Sequence, residues 1–482
     1  MGSESTEIMK RPKNGCAPCI FPDLMEGFLP MHRRLIAATA LLLTGCPVDG
    51  GDDPTGPTWY QDVAPIVAEN CANCHAPGQI APFDLVTYDD AKNIADWLAE
   101  TVEAGTMPPW GAQDTDECDT PLPWKDDARL TPDEIATFRA WADAGALEGD
   151  PATAAPLPEP KNTSLDRVDM TLTPEIGHQV PQEGPDQFRC FVLDPGNEET
   201  MWLTGLQVQP DNDNVVHHVL VFAATAEDSA TLDQLAADEG GTFECSAGNP
   251  APHGVELVAA WAPGALPMRT PEGTGMRLEG GGRLVIQMHY HPSGEVETPD
   301  ATSLELKWQE DSPGRRSFLA LVGNEGSGPE LQPGEGDSGP DAEFVIPAGA
   351  SGHVETIIYE DLDTADLGDL AVFAVGTHMH WVGVDMKIIL KKANGDEQCL
   401  VQTPNWDFNW QRWYDYDGLP EELPVIEEGD GLILRCTYDN TLDNPFVREA
   451  LAELGIDEPV DVYLGDETLD EMCLGVFGIY IK

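Results

Sequence analysis

The segment VGTHMHWVG at residues 375–383 places two histidines, His378 and His380, one residue apart in an apolar, β-branched run. Successive residues of a β-strand face opposite sides, so positions two apart share a face. The two imidazoles can therefore bind one metal ion together, or they can be ordinary polar groups on a solvated sheet. Further candidate ligands elsewhere in the sequence distinguish between these alternatives.

Three more histidines offer nitrogen ligands: the adjacent pair His217–His218, and His289 in the segment QMHYH. Adjacent residues of a regular strand point to opposite sides, so joint binding by His217 and His218 requires a β-bulge or a local twist. Imidazole suits Cu, Zn, Ni or Fe, so these residues alone do not identify the metal. The other histidines of this region are interpreted as surface or structural, with His291 an alternative to His289; they are His178, His253, His291 and His353.

Met472 precedes the last apolar run of the chain and adds a soft thioether ligand. Thioethers favour Cu(I), and a blue-copper centre would need a cysteine beside its histidine pair. Two imidazoles and one thioether therefore indicate a copper site that favours the reduced ion and leaves a position open for dioxygen.

A second cofactor is indicated nearer the N-terminus. Cys71-Ala-Asn-Cys74-His75 is the attachment pattern of a c-type haem, in which two thiols bind the porphyrin and the histidine binds the iron. Met107 is the candidate for the second axial ligand, and a core-filling methionine is the alternative for that residue. A zinc or thioredoxin-like role is the alternative for the CxxC pair.

The elements that must position these residues fall into two kinds. Residues 55–150 resemble the small all-α cytochrome c modules that are fused to bacterial redox enzymes, and Thr131, Pro132 and Glu134 predict a capped helix there. A Pro/Ala-rich linker follows at 151–164. Short β-branched runs separated by Gly/Pro/Asp turns then predict two antiparallel, jelly-roll-like β-sandwiches, over 165–312 and 313–482.

The first 46 residues predict export. Met31 begins MHRRLIAATALLLTGC, a secretory signal layout that follows a 30-residue leader, so Met31 is the expected start. LTGC resembles a bacterial lipoprotein processing box with Cys46 as the lipidated residue, and an internal core helix is the alternative. We expect an exported, periplasmic or cell-surface lipoprotein that is anchored to a bacterial membrane through Cys46.

The charge balance excludes one class of partner. The 482 residues include 25 Lys and Arg against 86 Asp and Glu, a formal net charge of −61. Nucleic-acid binding needs clustered cations, so no nucleic-acid partner is expected.

The segments VVHHVLVF, AWAPG, QMHYH, GTHMHWVG and LDEMC occur in that order and resemble the copper type II, ascorbate-dependent monooxygenases, over roughly residues 165–482. The resemblance implies two copper ions separated by a solvent-filled cleft. His217, His218 and His289 would hold the electron-accepting copper, and the oxygen-binding copper would have the ligands His378, His380 and Met472. It also implies the disulfides Cys436–Cys473 and, less directly, Cys190–Cys245, and it leaves Cys118 and Cys399 unassigned.

Three positions depart from the peptide-amidating members of that family, which carry Arg, Asn and Tyr where this chain has Gly376, Leu474 and Val476. The resemblance therefore implies a smaller or more apolar substrate than a peptide. The expected activity is C–H hydroxylation of a small molecule with O₂. The expected electron source for the first copper is the fused haem, supplied by ascorbate or another external reductant such as a redox protein.

Three alternatives remain open from the residues: a haem and copper electron-transfer or copper-binding protein without oxygenase activity, a lipid-anchored binding module, and a zinc hydrolase. The third lacks the carboxylate base that such sites place nearby.

Overall fold

In the computed structural model, the described residues are 55–77, 81–158, 164–245, 251, 253–262, 265–334, 336–337, 339, 341–465 and 470–482. They belong to one compact unit, Pro54–Lys482. The leader, the signal at 31–46 and the lipidation residue Cys46 lie outside the described residues. No helix among the described residues combines the length and the apolar character needed to cross a bilayer.

Helices predominate only before residue 150, in what we call the helical region (55–150). Its α-helices are α1 (Ala64–Asn70), α2 (Tyr88–Ala91), α3 (Ala95–Glu103) and α4 (Pro132–Asp143), with a π-helical turn at Trp59–Val63 and 3₁₀ turns at Lys92–Ile94 and Pro151–Thr153. The predicted cap is confirmed, because the Thr131 hydroxyl accepts from the Glu134 backbone N–H and the Glu134 carboxylate accepts from the Thr131 backbone N–H. A separate hydrophobic cluster, which includes Trp59, Phe138 and Trp141, forms the core of this region.

The remainder is mostly β-sheet, with α5 (Ala226–Asp238) and α6 (Pro445–Leu454) as its only helices among the described residues. The strands before residue 312 are β1 (Met170–Leu172), β2 (Gln187–Leu193), β3 (Met201–Gln209), β4 (Val216–Ala224), β5 (Phe243–Glu244), β6 (Val255–Trp261), β7 (Met268–Arg269), β8 (Thr274–Leu278), β9 (Arg283–Tyr290) and β10 (Ser303–Gln309). Those after it are β11 (Arg315–Gly323), β12 (Val345–Ile346), β13 (Ser351–Tyr359), β14 (Leu370–His378), β15 (Gly383–Lys391), β16 (Glu397–Thr403), β17 (Trp413–Asp415), β18 (Val425–Ile426), β19 (Gly431–Asp439), β20 (Val462–Tyr463) and β21 (Leu474–Ile481).

The strand order is consistent with two β-sandwiches that share one long sheet. A ten-stranded sheet runs β1-β10-β3-β8-β11-β21-β14-β17, with β7 and β18 at its sides. A five-stranded sheet, β5-β2-β9-β4-β6, completes the first half, and a four-stranded sheet, β13-β19-β15-β16, completes the second. Pairing is antiparallel except where β8 meets β11, and that parallel contact joins the two halves.

The part of the helical region between α3 and α4 leaves its own core and packs on the second half. We call residues 108–129 the strap. Trp124 of the strap stacks on Tyr416 with ring centroids 4.9 Å apart, and the Lys125 backbone N–H donates to the Asp415 carbonyl oxygen at 2.8 Å. A disulfide joins Cys118 of the strap to Cys399 of β16. The helical region is therefore fixed to the second half through the strap.

Each of the three disulfides among the described residues has one cysteine in a strand of the β region: Cys190 in β2, Cys399 in β16 and Cys436 in β19. Cys190–Cys245 and Cys436–Cys473, which the family resemblance implies, are confirmed. Cys118–Cys399 pairs the two cysteines that the sequence left unassigned.

Candidate metal centre

The first cluster of histidines lies on two neighbouring strands of the five-stranded sheet. His217 and His218 belong to β4 and His289 to β9, and His218 is directly opposite His289 in the antiparallel register. That register shifts by one residue between Val216 and His218, which is the β-bulge that joint ligation requires. The bulge turns both imidazoles of the adjacent pair towards His289, as expected from the sequence.

The three rings present their nitrogens to a common point. His289 Nδ1 lies 3.1 Å from His218 Nε2 and 3.4 Å from His217 Nδ1, and the ligand atoms all fall within 4.8 Å of one another. Nitrogens bound to one tetrahedral ion at about 2.0–2.1 Å lie about 3.3 Å apart. The cluster therefore has the spacing of a three-histidine metal site.

A carboxylate that the sequence reasoning missed orients this cluster. Asp186 Oδ2 accepts from His289 Nε2 at 2.7 Å, and Asp186 Oδ1 accepts from His291 Nδ1 at 2.7 Å. Burial acts to raise the pKa of Asp186, but hydrogen bonds from the two histidines hold that pKa well below its ordinary value. The bond from His289 Nε2 leaves Nδ1 of His289 as the metal-binding nitrogen. The bond from His291 holds that histidine beside the site.

The second cluster lies at the end of two central strands of the long sheet. β14 ends at His378, so His380 follows the strand rather than lying within it, but both residues line the same cavity and their ring centroids are 5.2 Å apart. His378 pairs with Leu474 of β21 in the antiparallel register. Extending that register by two residues brings Met472 beside His380, and Met472 lines the same cavity.

Hydrogen bonds fix which nitrogen of each ring is free. His378 Nδ1 lies 2.8 Å from Gln411 Oε1, and His380 Nδ1 lies 3.0 Å from the Asp470 carbonyl oxygen. Both acceptors select the tautomer with the proton on Nδ1, so each Nε2 keeps its lone pair for a metal.

Glu471 connects the ends of this second cluster. Its Oε2 accepts from the backbone N–H groups of His380 (2.6 Å) and Met472 (2.8 Å), and its Oε1 accepts from those of Val382 (3.0 Å) and Gly383 (3.2 Å). Burial raises the pKa of Glu471 to about 8, and the four N–H donors act against that shift because they bind the ionised form. One carboxylate thus sets the distance between the histidine segment and the methionine.

Burial favours the neutral, metal-binding form of four of the candidate histidines. Burial lowers the pKa of His217 to about 3, that of His378 to about 4 and that of His380 to about 3. Burial also lowers the pKa of His218, whose Nδ1 is buried without a hydrogen-bond partner. Neutral imidazoles with converging lone pairs fit a bound cation.

The two clusters line one cavity of about 790 Å³. The ring centroids of His218 and His378 are 6.4 Å apart. Phe408 lies between the clusters, with its ring 5.2 Å from that of His217 and 6.1 Å from that of His380. Ions held by the two clusters would thus be close neighbours.

The CxxCH motif follows α1 in the helical region. Cys71 and Cys74 are thiols, whereas the other described cysteines form disulfides. Burial raises the pKa of Cys71 to about 12, which is the opposite of the lowered pKa of a thioredoxin-like redox cysteine.

His75 and nearby aromatic side chains make several contacts around the motif. His75 Nδ1 lies 3.0 Å from the Phe83 carbonyl oxygen, so Nε2 is left for a metal. Phe83 also contacts Trp97, an aromatic side chain that is 46% exposed and could pack on a porphyrin. Met107 lies in the turn after α3 and is partly buried, and its role as second axial ligand stays a prediction.

The described residues thus form a mostly β protein whose cavity is lined by six histidines, including the five candidate ligands, and by the thioether of Met472. Residues 340–453 match the family model "Copper type II ascorbate-dependent monooxygenase, C-terminal domain", a range that contains His378, His380 and Gln411. The match covers less than half of the chain. Among curated proteins, none matches the chain in sequence.

Solved structures give only weak likenesses. The chain is 10% identical to PNGF-II over 65% of its own length and 64% of that structure, with a TM-score of 0.25. It is 12% identical to allantoicase over 55% of its own length and 81% of that structure, with a TM-score of 0.15. The chain therefore spans just under two thirds of PNGF-II, and at these TM-scores neither likeness bears on its function.

Proposed function

We propose that this chain is a copper-dependent monooxygenase that hydroxylates a C–H bond of a small organic substrate with O₂. The observation that carries the proposal is the convergence of His378, His380 and Met472 on one cavity with the His217, His218 and His289 cluster. The match of residues 340–453 to the copper monooxygenase model supports the same conclusion.

Two copper ions fit these residues, one at His217, His218 and His289 and one at His378, His380 and Met472. Copper at these positions would supply the electrons and the site of dioxygen activation for the hydroxylation. The thioether of Met472 favours the reduced ion at the second site.

The protein's own groups hold the ligands and shape the cavity. Gln411, Asp186 and Glu471 fix ring orientation and ligand spacing, so the ligands do not have to reorganise when a metal changes its charge. The cavity wall is largely apolar and limits the access of water; its side chains include Leu220, Phe222, Leu257, Leu319, Leu474 and Val476. None of these side chains is needed as an acid or a base.

We propose further that Cys71 and Cys74 would attach a haem c, that His75 and Met107 would hold its iron, and that this haem would supply electrons to the cavity. Ascorbate, another small reductant or a redox protein would be the external donor. The strap contacts the second half of the β region, so the helical region lies against the half that carries His378 and His380. The sequence expectation that haem electrons enter at the first copper stays a prediction.

The proposed location follows from the sequence alone. The signal at 31–46 and Cys46 support an exported, periplasmic or cell-surface lipoprotein with its anchor in a bacterial membrane.

The test of the proposal is oxygen uptake with ¹⁸O₂ and a reductant over a panel of small substrates. We expect one labelled hydroxyl group per O₂ consumed, and we expect M472A to lose the product. M170A removes a methionine of β1, outside the cavity, and should keep the activity of the wild-type chain. Reduction of the metals without oxygen uptake for any substrate would favour the electron-transfer alternative, and full activity of M472A would refute the ligand assignment.

A further inference from the structure

One guanidinium lines the cavity without an anionic partner. Arg412 lies between Gln411, which holds His378, and Trp413, the first residue of β17. Its Nε is buried and makes no hydrogen bond, and none of the described carboxylates forms an ion pair with it. Burial lowers the pKa of Arg412, yet a guanidinium stays charged at neutral pH.

Such a cation is unusual in this acidic chain. Basic residues are outnumbered by 86 to 25. Most of the other described arginines pair with a carboxylate, as Arg139 does with Glu103 at 2.7 Å and Arg283 does with Asp233 at 2.8 Å. A charge removed from water is costly unless it is paired. The position of Arg412 thus calls for an anion that the described side chains do not supply.

The rest of the cavity indicates the size and the polarity of the ligand. Its volume of about 790 Å³ suits a small molecule, and its wall is mainly aliphatic and aromatic. The carboxylate of Asp186 also lines it but is already bound by His289 and His291. A matching ligand has an apolar body and one negatively charged end.

The backbone at Gly376 lies close to residues 412 and 413. Gly376 of β14 pairs with Trp413, and a Cβ at residue 376 would lie 3.0 Å from Trp413 Cβ and 3.2 Å from the Arg412 carbonyl oxygen. The segment 412–413 therefore occupies the space that a larger residue at 376 would need. Gly376, Leu474 and Val476 stand where the peptide-amidating members carry larger polar side chains, but Arg412 still places a positive charge in the cavity.

We propose that the substrate is a carboxylic acid with an apolar body, and that Arg412 binds its carboxylate within the cavity of His378, His380 and Met472. This inference rests on the proposed function and names its substrate class. The planar guanidinium can form two parallel hydrogen bonds to a carboxylate, which would fix the position of the apolar part relative to the histidines.

A haem propionate is the other carboxylate that Arg412 could bind. The positive charge of Arg412 acts to lower the pKa of the Cys74 thiol against the effect of burial, so the attachment motif is near. The experiment therefore needs one readout for a soluble carboxylate and another for the haem.

The experiment is calorimetric titration of the purified, metal-loaded full chain under anaerobic conditions, with 4-phenylbutanoate and its neutral analogue 4-phenylbutanamide. We expect the wild-type chain to bind the carboxylate at least tenfold more tightly than the amide. R412Q should weaken the carboxylate about 30-fold or more, the usual effect of truncating one partner of a buried charge pair, and should leave the affinity for the amide unchanged. R412K keeps the charge but loses the paired hydrogen bonds, so its carboxylate affinity should be intermediate.

The matched control is R167Q, which removes an arginine that is exposed and pairs with Asp169 outside the cavity; it should bind like the wild-type chain. Equal affinity for the two ligands, no binding of either, or an unchanged preference in R412Q would overturn the proposal. So would a shifted haem reduction potential in R412Q with unaltered carboxylate affinity, because Arg412 would then serve the propionate. If R412Q does not fold, the R412K titration decides. Binding is measured without turnover, so absence of hydroxylation would count against the proposed function alone.

Discussion

Replacement of Glu471 by glutamine is the sharpest probe of how the second ligand cluster is held. Glu471 is fully buried and accepts four backbone N–H groups, two on each oxygen. Glutamine keeps one acceptor oxygen and turns an NH₂ group towards the other two donors. A buried donor left without an acceptor costs about 1–3 kcal/mol. We therefore expect E471Q to lose about 2–6 kcal/mol of the free energy of unfolding above about pH 8, where Glu471 is ionised.

The assay is urea denaturation of the metal-free chain, followed by tryptophan fluorescence, with a copper titration of the folded variant. E471Q should also bind copper more weakly at His378, His380 and Met472, because the Glu471 carboxylate sets the spacing of these ligands. The matched control is E360Q, since Glu360 makes a single surface ion pair with Lys391 and should contribute less than about 1 kcal/mol. An E471Q protein within about 0.5 kcal/mol of the wild-type chain, with unchanged copper affinity, would refute this account of the site.

D186N should weaken copper binding at the first cluster about 10–100-fold, as expected when the carboxylate partner of a ligand histidine is altered; equal affinity in a copper titration would contradict the role of Asp186. Replacing Cys118 and Cys399 by serine should lower the free energy of unfolding by roughly 2–5 kcal/mol, because the bridge closes a span of 281 residues, and unchanged denaturant curves would count against it. Acid should destabilise the metal-free chain: the folded-state pKa values of His378 and His380 are about 4 and 3, whereas unfolded histidine titrates near 6.5, so the unfolded state takes up more protons below about pH 6.5. Stability should then fall by about 1.4 kcal/mol per pH unit for each histidine as pH drops from about 6.5 to about 4, and a thermal midpoint that stays constant from pH 7 to pH 5 would exclude this linkage.

Local rules predicted the parts of the site that depend on neighbours in sequence. The twofold alternation of strand residues predicted that His378 and His380 share a side, and Met379 between them is fully buried. The same rule predicted that His217 and His218 need a bulge, which the register of β4 and β9 contains. The end of β14 at His378 was not foreseeable, because strand ends depend on pairing with other strands.

The remaining groups of the site come from distant positions without a local pattern. Asp186 reaches His289 across 103 residues, and Gln411 reaches His378 across 33. Aspartate and glutamine are common on surfaces, so composition gives no signal for either role. Glu471 had a weak signal, since it adjoins Met472, but three of its four backbone partners lie at 380–383 and follow only from the fold.

The central claim is that this chain binds two copper ions through two neighbouring ligand clusters. The most direct test is the copper content of the purified full chain and of the double variant H378A/H380A, measured by plasma mass spectrometry after removal of loosely bound metal. We predict two copper ions per wild-type chain and one per variant chain, and a copper–sulfur contribution in the X-ray absorption spectrum of the reduced wild-type protein that the variant lacks. Fewer than two copper ions in the wild-type chain, or equal copper content in the two proteins, would contradict the account.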